Sequence, residues 1–188
     1  EERRRLNETA KKRIAQACAG AIPDGASVFL NIGTTTEAVA RALLGHRRLM
    51  VVTNNLNAAE ILSASPECEI TLTGGRLRSE DGGLVGPLAA RSVDQFRFDV
   101  AVLGCSALDA GGDLLDFDPQ EVMVSQSALH RARRRLVVAD RSKLRRPAPI
   151  RICSLAEIDA LYTDAPLPEA LAAQCDGWDT AIVPPDPA

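Results

Sequence analysis

The regular alternation of short apolar runs with helical patterns constrains the fold more than any other feature of this sequence. Five runs are rich in strand-forming residues: SVFLNI (27–32), LMVVT (49–53), CEITLT (68–73), DVAVLG (99–104) and LVVAD (136–140). Two shorter runs follow near the end, ALYT (160–163) and AIV (181–183). Parallel strands need a crossover connection, usually a helix, and such sheets are covered on both faces. The pattern therefore predicts an α/β protein with a mostly parallel sheet and helices on both faces.

Apolar residues at helical spacing predict helices over 1–21, 36–44, 56–64, 88–96 and 119–134. A length of 188 residues suits one domain, and we expect residues 1–188 to form it. The first methionine is Met50, which lies inside a predicted strand. We therefore expect that the natural chain starts upstream of Glu1.

Composition argues against several classes of protein. The net charge is −3, which does not suit an electrostatic DNA binder, and an aromatic content of 3% does not suit a base-stacking surface. No apolar run approaches the ~20 residues of a membrane span, and the charged start does not resemble a signal peptide. Five scattered cysteines without a C-x-x-C pair predict reduced, mostly buried thiols rather than a zinc site or disulfides. We expect a cytoplasmic protein without a bound metal.

Polar residues follow the predicted strands at their carboxyl ends, where ligands bind in parallel α/β folds. The first such segment is Gly33, Thr34, Thr35 and Thr36, which precedes a predicted helix. A glycine turn, three hydroxyl groups and the unpaired N–H groups of a helix start suit a phosphate monoester. The alternative is structural, because a threonine before a helix is a common N-cap.

Three further segments offer the same choice. Thr53, Asn54 and Asn55 could bind a ligand hydroxyl or close an Asx-turn. Gly74 and Gly75 permit close approach of the backbone, and Arg78 could hold a phosphate, unless the segment is a solvated loop. Lys143 follows another strand and could pair with an anion or remain a surface lysine.

Taken together, these segments resemble a known family. GTTTEAVA, VTNNLNAAEIL, LTGGRLRSEDGGLVG, FDVAVLG, LVVAD and DRSK occur in the order and spacing of the effector domain of DeoR-family transcriptional repressors, from about residue 4 to about residue 165. The resemblance implies a Rossmann-like fold shared with ribose-5-phosphate isomerase, glucosamine-6-phosphate deaminase and coenzyme A transferases. It also implies a sensor rather than an enzyme, with no cofactor, that binds a small phosphorylated metabolite, glycerol 3-phosphate being favoured.

The resemblance carries further expectations about partners. Operator DNA would be bound by an N-terminal winged helix-turn-helix that this chain lacks, and the effector would relieve repression. The protein would form a homodimer or homotetramer and would not bind a membrane.

Carried over by position, the effector site consists of twelve residues: Gly33, Thr34, Thr35, Thr36, Thr53, Asn54, Asn55, Gly74, Gly75, Arg78, Glu121 and Lys143. Two positions depart from the family pattern. Asn31 stands where the family usually has Asp, and Ser125 stands four residues after Glu121, where the family usually has Lys. The second departure removes a cation from the expected site.

A phosphosugar isomerase on the same fold is the alternative. Moving a proton between carbons needs a base and a group that stabilises the enediolate. Asp81, Asp109, Asp116 and Glu121 are available as acids or bases. A sensor needs no such base and can use a polar, neutral site, and therefore Asn31, Asn54 and Asn55 favour sensing.

Overall fold

The computed structural model describes residues 7–184, and a seven-stranded parallel sheet forms its centre. The strands of the described residues are β1 (Ser27–Leu30), β2 (Leu49–Thr53), β3 (Cys68–Leu72), β4 (Arg76–Arg78), β5 (Gly83–Val85), β6 (Phe98–Leu103), β7 (Ala107–Leu108), β8 (Asp113–Asp116), β9 (Ala132–Val138), β10 (Ile150–Ser154), β11 (Ala160–Tyr162) and β12 (Ala181–Val183). The helices are α1 (Glu8–Gly20), α2 (Thr34–Ala42), α3 (Leu56–Leu62), α4 (Pro87–Val93), α5 (Pro119–Arg131) and α6 (Glu169–Gly177). Short 3-10 turns cover Leu43–Gly45, Arg141–Arg145 and Leu155–Glu157.

The order of the main sheet is β12-β11-β9-β6-β1-β2-β3, and every neighbouring pair is parallel. The chain starts at β1, adds β2 and β3 on one side, and then adds β6, β9, β11 and β12 on the other. The direction of winding therefore reverses between β1 and β6. Open α/β sheets bind ligands at such a reversal, outside the carboxyl ends of the strands.

Apolar side chains of the sheet pack into one cluster on each face. Along β1, Val28 and Leu30 belong to the cluster that includes Ile14 of α1 and Val39 of α2. Phe29 belongs to the opposite cluster, with residues of α4, α5 and α6. This alternation is what a strand buried on both faces requires, and it confirms the prediction of an α/β sheet covered by helices on both faces.

Several boundaries differ from the sequence predictions. The helix predicted over 1–21 begins at Glu8 in the structure, and residues 1–6 lie outside the described part. The segment 76–87, for which a solvated loop was one interpretation, contains the antiparallel hairpin β4–β5 and the first residue of α4. A small antiparallel sheet of β10, β8 and β7, and helix α6, were not predicted. β4, β5 and β7 have only two or three residues, which is too short to show an alternating pattern.

The hairpin β4–β5 is held against the start of α3 by backbone hydrogen bonds. Leu84 N donates to Asn54 O at 2.7 Å, and Leu56 N donates to Gly82 O at 2.8 Å. The hairpin thereby lies beside the carboxyl ends of β1 and β2. None of the helices in the described part of the chain has the length and apolar character needed to cross a membrane.

Candidate functional site

A cavity of about 210 Å³ lies where the direction of winding reverses. Its walls come from the segments after β1 and β6, the start of α2, the hairpin β4–β5, the start of α5 and the turn Arg141–Arg145. At about 30 Å³ per water molecule, the space suits a small metabolite. Six of the twelve predicted effector-site residues line it: Gly33, Thr34, Thr35, Arg78, Glu121 and Lys143. The other six do not line it.

The start of α2 forms one side of the cavity. Gly33 precedes the helix with φ 154° and ψ 151°, a conformation that only glycine adopts readily. Because glycine has no capping side chain, the first N–H groups of α2 remain available to a ligand. Thr35 is buried at the cavity, and among residues 7–184 its hydroxyl has no hydrogen-bond partner. Thr36 is different, because its Oγ1 lies 2.8 Å from both Asn31 O and Gly33 O and stabilises the turn.

The segment after β2 supports the cavity from behind. Thr53, Asn54 and Asn55 are fully buried and do not line it. Thr53 Oγ1 donates to Leu30 O at 2.7 Å, and Asn54 Nδ2 donates to Leu84 O at 3.0 Å. Asn55 caps α3 by accepting from Ala58 N at 3.2 Å. These bonds fix the end of β1 and the hairpin, and direct contact of the three side chains with a ligand stays a prediction.

Gly74 and Gly75 also lie outside the cavity lining. Gly75 has φ 125°, and a Cβ at that position would come within 2.8 Å of Val85 O. A Cβ on Gly74 would lie 3.3 Å from the Leu88 side chain. The two glycines allow the chain to pass close to the hairpin and α4, and a ligand contact by either also stays a prediction.

Arg78 joins the hairpin to α5 through three carboxylates. Its guanidinium donates to Asp81 at 2.7 and 2.9 Å, to Asp118 at 2.8 Å and to Glu121 at 2.5 Å. The hydrogen bonds that Arg78 donates to Asp81 are the main reason that the pKa of Arg78 is raised. The side chain is 21% exposed. Arg78 is therefore a lining residue whose positive charge is already engaged by carboxylates.

Glu121 is an unusual carboxyl group in this wall. Burial raises its pKa to about 7, and the negative charge of Asp116 adds to the rise, while the hydrogen bond from Arg78 opposes it. Asp116 is also buried, and its Oδ1 accepts from Ser106 Oγ at 2.9 Å and from Phe117 N at 2.7 Å. A further negative charge beside these two groups would be resisted.

Asp116 is expected from the sequence only as an acid or base of the isomerase alternative, and Asp118 is not expected in the site. The available signal was Asp118 followed by Pro119 and an amphipathic run, the pattern of an N-cap with proline at the first helical position. Asp118 does cap α5, by accepting from Gln120 N at 2.9 Å.

Lys143 lies on the turn Arg141–Arg145, directly after β9, and is 9% exposed at the cavity. Asp140 caps this turn by accepting from Ser142 N at 2.9 Å. Burial alone would raise the pKa of Asp140, but the hydrogen bonds of Ser142 and the charge of Lys143 lower it. A fixed turn thus brings a cation to the cavity that contains the start of α2.

The two departures from the family pattern contact each other. Asn31 Nδ2 donates to Ser125 Oγ at 3.3 Å and to Gly104 O at 3.0 Å, while its Oδ1 accepts from Gly104 N at 2.8 Å. Both side chains are 1% exposed. The pair is neutral and joins the ends of β1 and β6 to α5.

Glu121→Gln is expected to remove a pH-dependent loss of stability. Because the folded-state pKa of about 7 exceeds the ordinary 4.5, this group's contribution is fully present below pH 4.5 and is lost as pH rises through 7. The loss is on the order of 3 kcal/mol. Glutamine cannot ionise, so the melting temperature of the variant minus that of the parent should increase between about pH 5 and about pH 8. A constant or decreasing difference would contradict the assignment.

Residues 6–165 match the family described as "DeoR C terminal sensor domain". The glycerol-3-phosphate regulon repressor of Haemophilus influenzae is 45% identical over 182 residues, 97% of this chain and 71% of that protein. The repressor of the same name from Escherichia coli K12 is 46% identical over 158 residues, 84% of this chain and 63% of that protein. The Escherichia coli repressor CsqR is 41% identical over 185 residues, 98% of this chain and 71% of that protein.

Solved structures with less sequence similarity share the fold. A ribose-5-phosphate isomerase in complex with phospho-erythronic acid superposes with a TM-score of 0.54 at 21% identity, over 73% of this chain and 54% of that one. The translation initiation factor eIF-2B of Pyrococcus horikoshii OT3 superposes with a TM-score of 0.58 at 16% identity, over 84% of this chain and 63% of that one. The expected similarity to the isomerase fold is confirmed.

Proposed function

Because the chain belongs to the DeoR C-terminal sensor domain family, we propose that its cavity binds a small phosphorylated metabolite, with glycerol 3-phosphate favoured. The chain is the sensor domain of a transcriptional repressor. It spans 63–71% of the length of the two glycerol-3-phosphate regulon repressors. Operator binding by a module before residue 1, relief of repression by the effector and assembly as a homodimer or homotetramer are parts of the proposal.

The main support for the proposal is that the start of α2 lies at the cavity. Helix N–H groups with their partial positive charge, the Thr35 hydroxyl and the buried Lys143 converge on one small space. A phosphate would accept hydrogen bonds from all three kinds of donor. The isomerase of the same fold carries a phosphorylated ligand, which supports this choice of ligand class.

A route for the signal runs from the cavity to α1. Asp140 caps the turn that carries Lys143, and Asp140 Oδ1 also accepts from Asn7 Nδ2 at 3.2 Å. Asn7 directly precedes α1. A ligand that shifts Lys143 would therefore act on the start of α1, the side on which the proposal places the DNA-binding module. Such coupling requires different affinities in two protein states, typically about 1–3 kcal/mol.

Thermal denaturation tests the proposal directly. Glycerol 3-phosphate at about a hundredfold excess over its Kd should stabilise the chain by about 2.7 kcal/mol and raise its melting temperature, whereas glycerol should not. Phosphorus NMR should show that the ligand is not consumed. This second measurement matters because a carboxyl with a pKa of about 7 suits a general base. Turnover of an aldose or ketose phosphate would favour the isomerase alternative and overturn the sensor proposal.

The adjacent threonines provide matched variants for the same experiment. Thr35→Val should weaken binding of glycerol 3-phosphate by about tenfold and leave the melting temperature of the free protein nearly unchanged, since its hydroxyl has no protein partner among residues 7–184. Thr36→Val should instead destabilise the free protein by about 1–3 kcal/mol, because it removes the buried hydroxyl beside Asn31 O and Gly33 O. Unchanged affinity in Thr35→Val would show that the phosphate does not bind at α2.

A further inference from the structure

We propose that Asp116 and Glu121 make the cavity selective for phosphorylated polyols and exclude phosphorylated carboxylic acids of the same size. The inference rests on the proposed function, and it assigns the end of the ligand opposite the phosphate. It predicts that the hydroxyl groups of the ligand donate hydrogen bonds to carboxylate oxygens of the cavity, and that a ligand with a second anionic group binds more weakly.

The charge of the cavity is the first reason. Six carboxylate side chains line it, against the two cations Arg78 and Lys143: Glu37, Glu80, Asp81, Asp116, Asp118 and Glu121. Arg78 already binds three of these carboxylates. The four side chains together therefore carry more negative than positive charge. A phosphate can be held where the start of α2 and Lys143 meet the cavity. The rest of the wall repels anions.

The second reason is that the protein uses one oxygen of each buried carboxylate as a hydrogen-bond acceptor. Asp116 and Glu121 are each 6% exposed. Asp116 uses Oδ1 for Ser106 and Phe117, and Glu121 uses Oε2 for Arg78. The other oxygen of each carboxylate is not among the buried side-chain atoms of residues 7–184 that lack a partner, and both residues line the cavity, so these oxygens are open to it. Carboxylate oxygens that are open to a cavity accept hydrogen bonds from the hydroxyl groups of a ligand.

The size of the cavity is the third reason. Asp116 and Glu121 line the same cavity of about 210 Å³ as the start of α2, and the inference places the part of a three-carbon ligand beyond the phosphate against them. A hydroxyl there donates a hydrogen bond to a carboxylate. A carboxylate there has no hydrogen to donate and carries the same charge as the wall, a combination that specific sites use for rejection. The raised pKa of Glu121 agrees with this resistance to added negative charge.

Two ligands that differ in one group give a sharp test. Glycerol 3-phosphate carries a hydroxymethyl group where 3-phosphoglycerate carries a carboxylate. By calorimetry at about pH 8, where Glu121 is mostly ionised, the parent should bind 3-phosphoglycerate at least about tenfold more weakly. Asp116→Asn keeps the shape and removes a charge, and it should reduce that preference to less than about threefold. Glu121→Gln should act in the same direction and serves if Asp116→Asn does not fold.

Asp113→Asn is the matched control for charge. Asp113 lies on the same strand, β8, does not line the cavity and forms an exposed ion pair with Arg151. This variant should keep the preference of the parent. Equal binding of the two ligands by the parent, or an undiminished preference in both Asp116→Asn and Glu121→Gln, would overturn the inference while leaving the proposed function intact. Binding of neither ligand by the parent would overturn the proposed function and this inference with it.

Discussion

Replacing Arg78 with methionine is expected to destabilise the protein by about 3 kcal/mol at neutral pH. The guanidinium holds Asp81 within the hairpin and Asp118 and Glu121 on α5. Without it, three carboxylates remain close together in a wall that is mostly shielded from water. Methionine fills similar volume, so most of the cost comes from the unpaired charges rather than from packing.

Arg76→Met provides the control, because Arg76 is exposed and its side chain donates a hydrogen bond to Gln120 at 3.1 Å. It should change stability by less than about 1 kcal/mol. Denaturant unfolding of both variants measures the difference. The cost of Arg78→Met should also grow as pH rises, because loss of the cation raises the pKa of Glu121 further and stability is lost as pH rises through that value. Equal effects of the two variants would mean that the carboxylate cluster is solvated and does not hold the hairpin.

The sequence predicted the main sheet well because each of its buried strands is a continuous apolar run. β1 and β6 are recognisable without any partner, and parallel strands need no matching turn. The Gly33–Thr36 segment was predictable for a similar reason, since strand, glycine and helix start are adjacent in the chain. Local patterns of this kind report local structure.

Contacts between distant segments were not predictable in the same way. Arg78 binds partners 40 and 43 residues away, and nothing in the sequence near Arg78 identifies Asp118 or Glu121. The three threonines also look equivalent in the sequence. Only the rotation of α2 distinguishes Thr35, which faces the cavity, from Thr36, whose hydroxyl bonds to the backbone. Likewise, Asn54 and Asn55 are polar at a strand end but are buried by the hairpin.

The two expected departures from the family pattern, Asn31 and Ser125, contact each other in the structure, which the sequence could not show. Considered alone, serine at 125 removes an expected cation. In the structure, Ser125 Oγ contacts Asn31 Nδ2, and asparagine at 31 removes an expected anion. A neutral pair therefore stands where the family pattern would place an anion and a cation, and the two differences together leave the net charge the same.

Restoring one charge at a time should lower the stability of the folded protein. Asn31→Asp would place a carboxylate oxygen where Nδ2 now donates to Gly104 O at 3.0 Å, in a position that is 1% exposed. A buried, unpaired charge of this kind costs about 3–5 kcal/mol. Ser125→Lys alone buries an ammonium, although Glu121 one turn earlier on α5 can partly neutralise it.

A double-mutant cycle then distinguishes a compensated pair from two unrelated substitutions. We expect Asn31→Asp with Ser125→Lys to be more stable than Asn31→Asp alone, with a coupling free energy of at least about 2 kcal/mol by denaturant unfolding. Met123→Lys adds a cation on the solvent side of the same helix, where Met123 is 42% exposed. It should show little coupling to Asn31→Asp. Additive effects for both pairs would mean that positions 31 and 125 vary independently, and the missing lysine would then be a true loss of charge from the site.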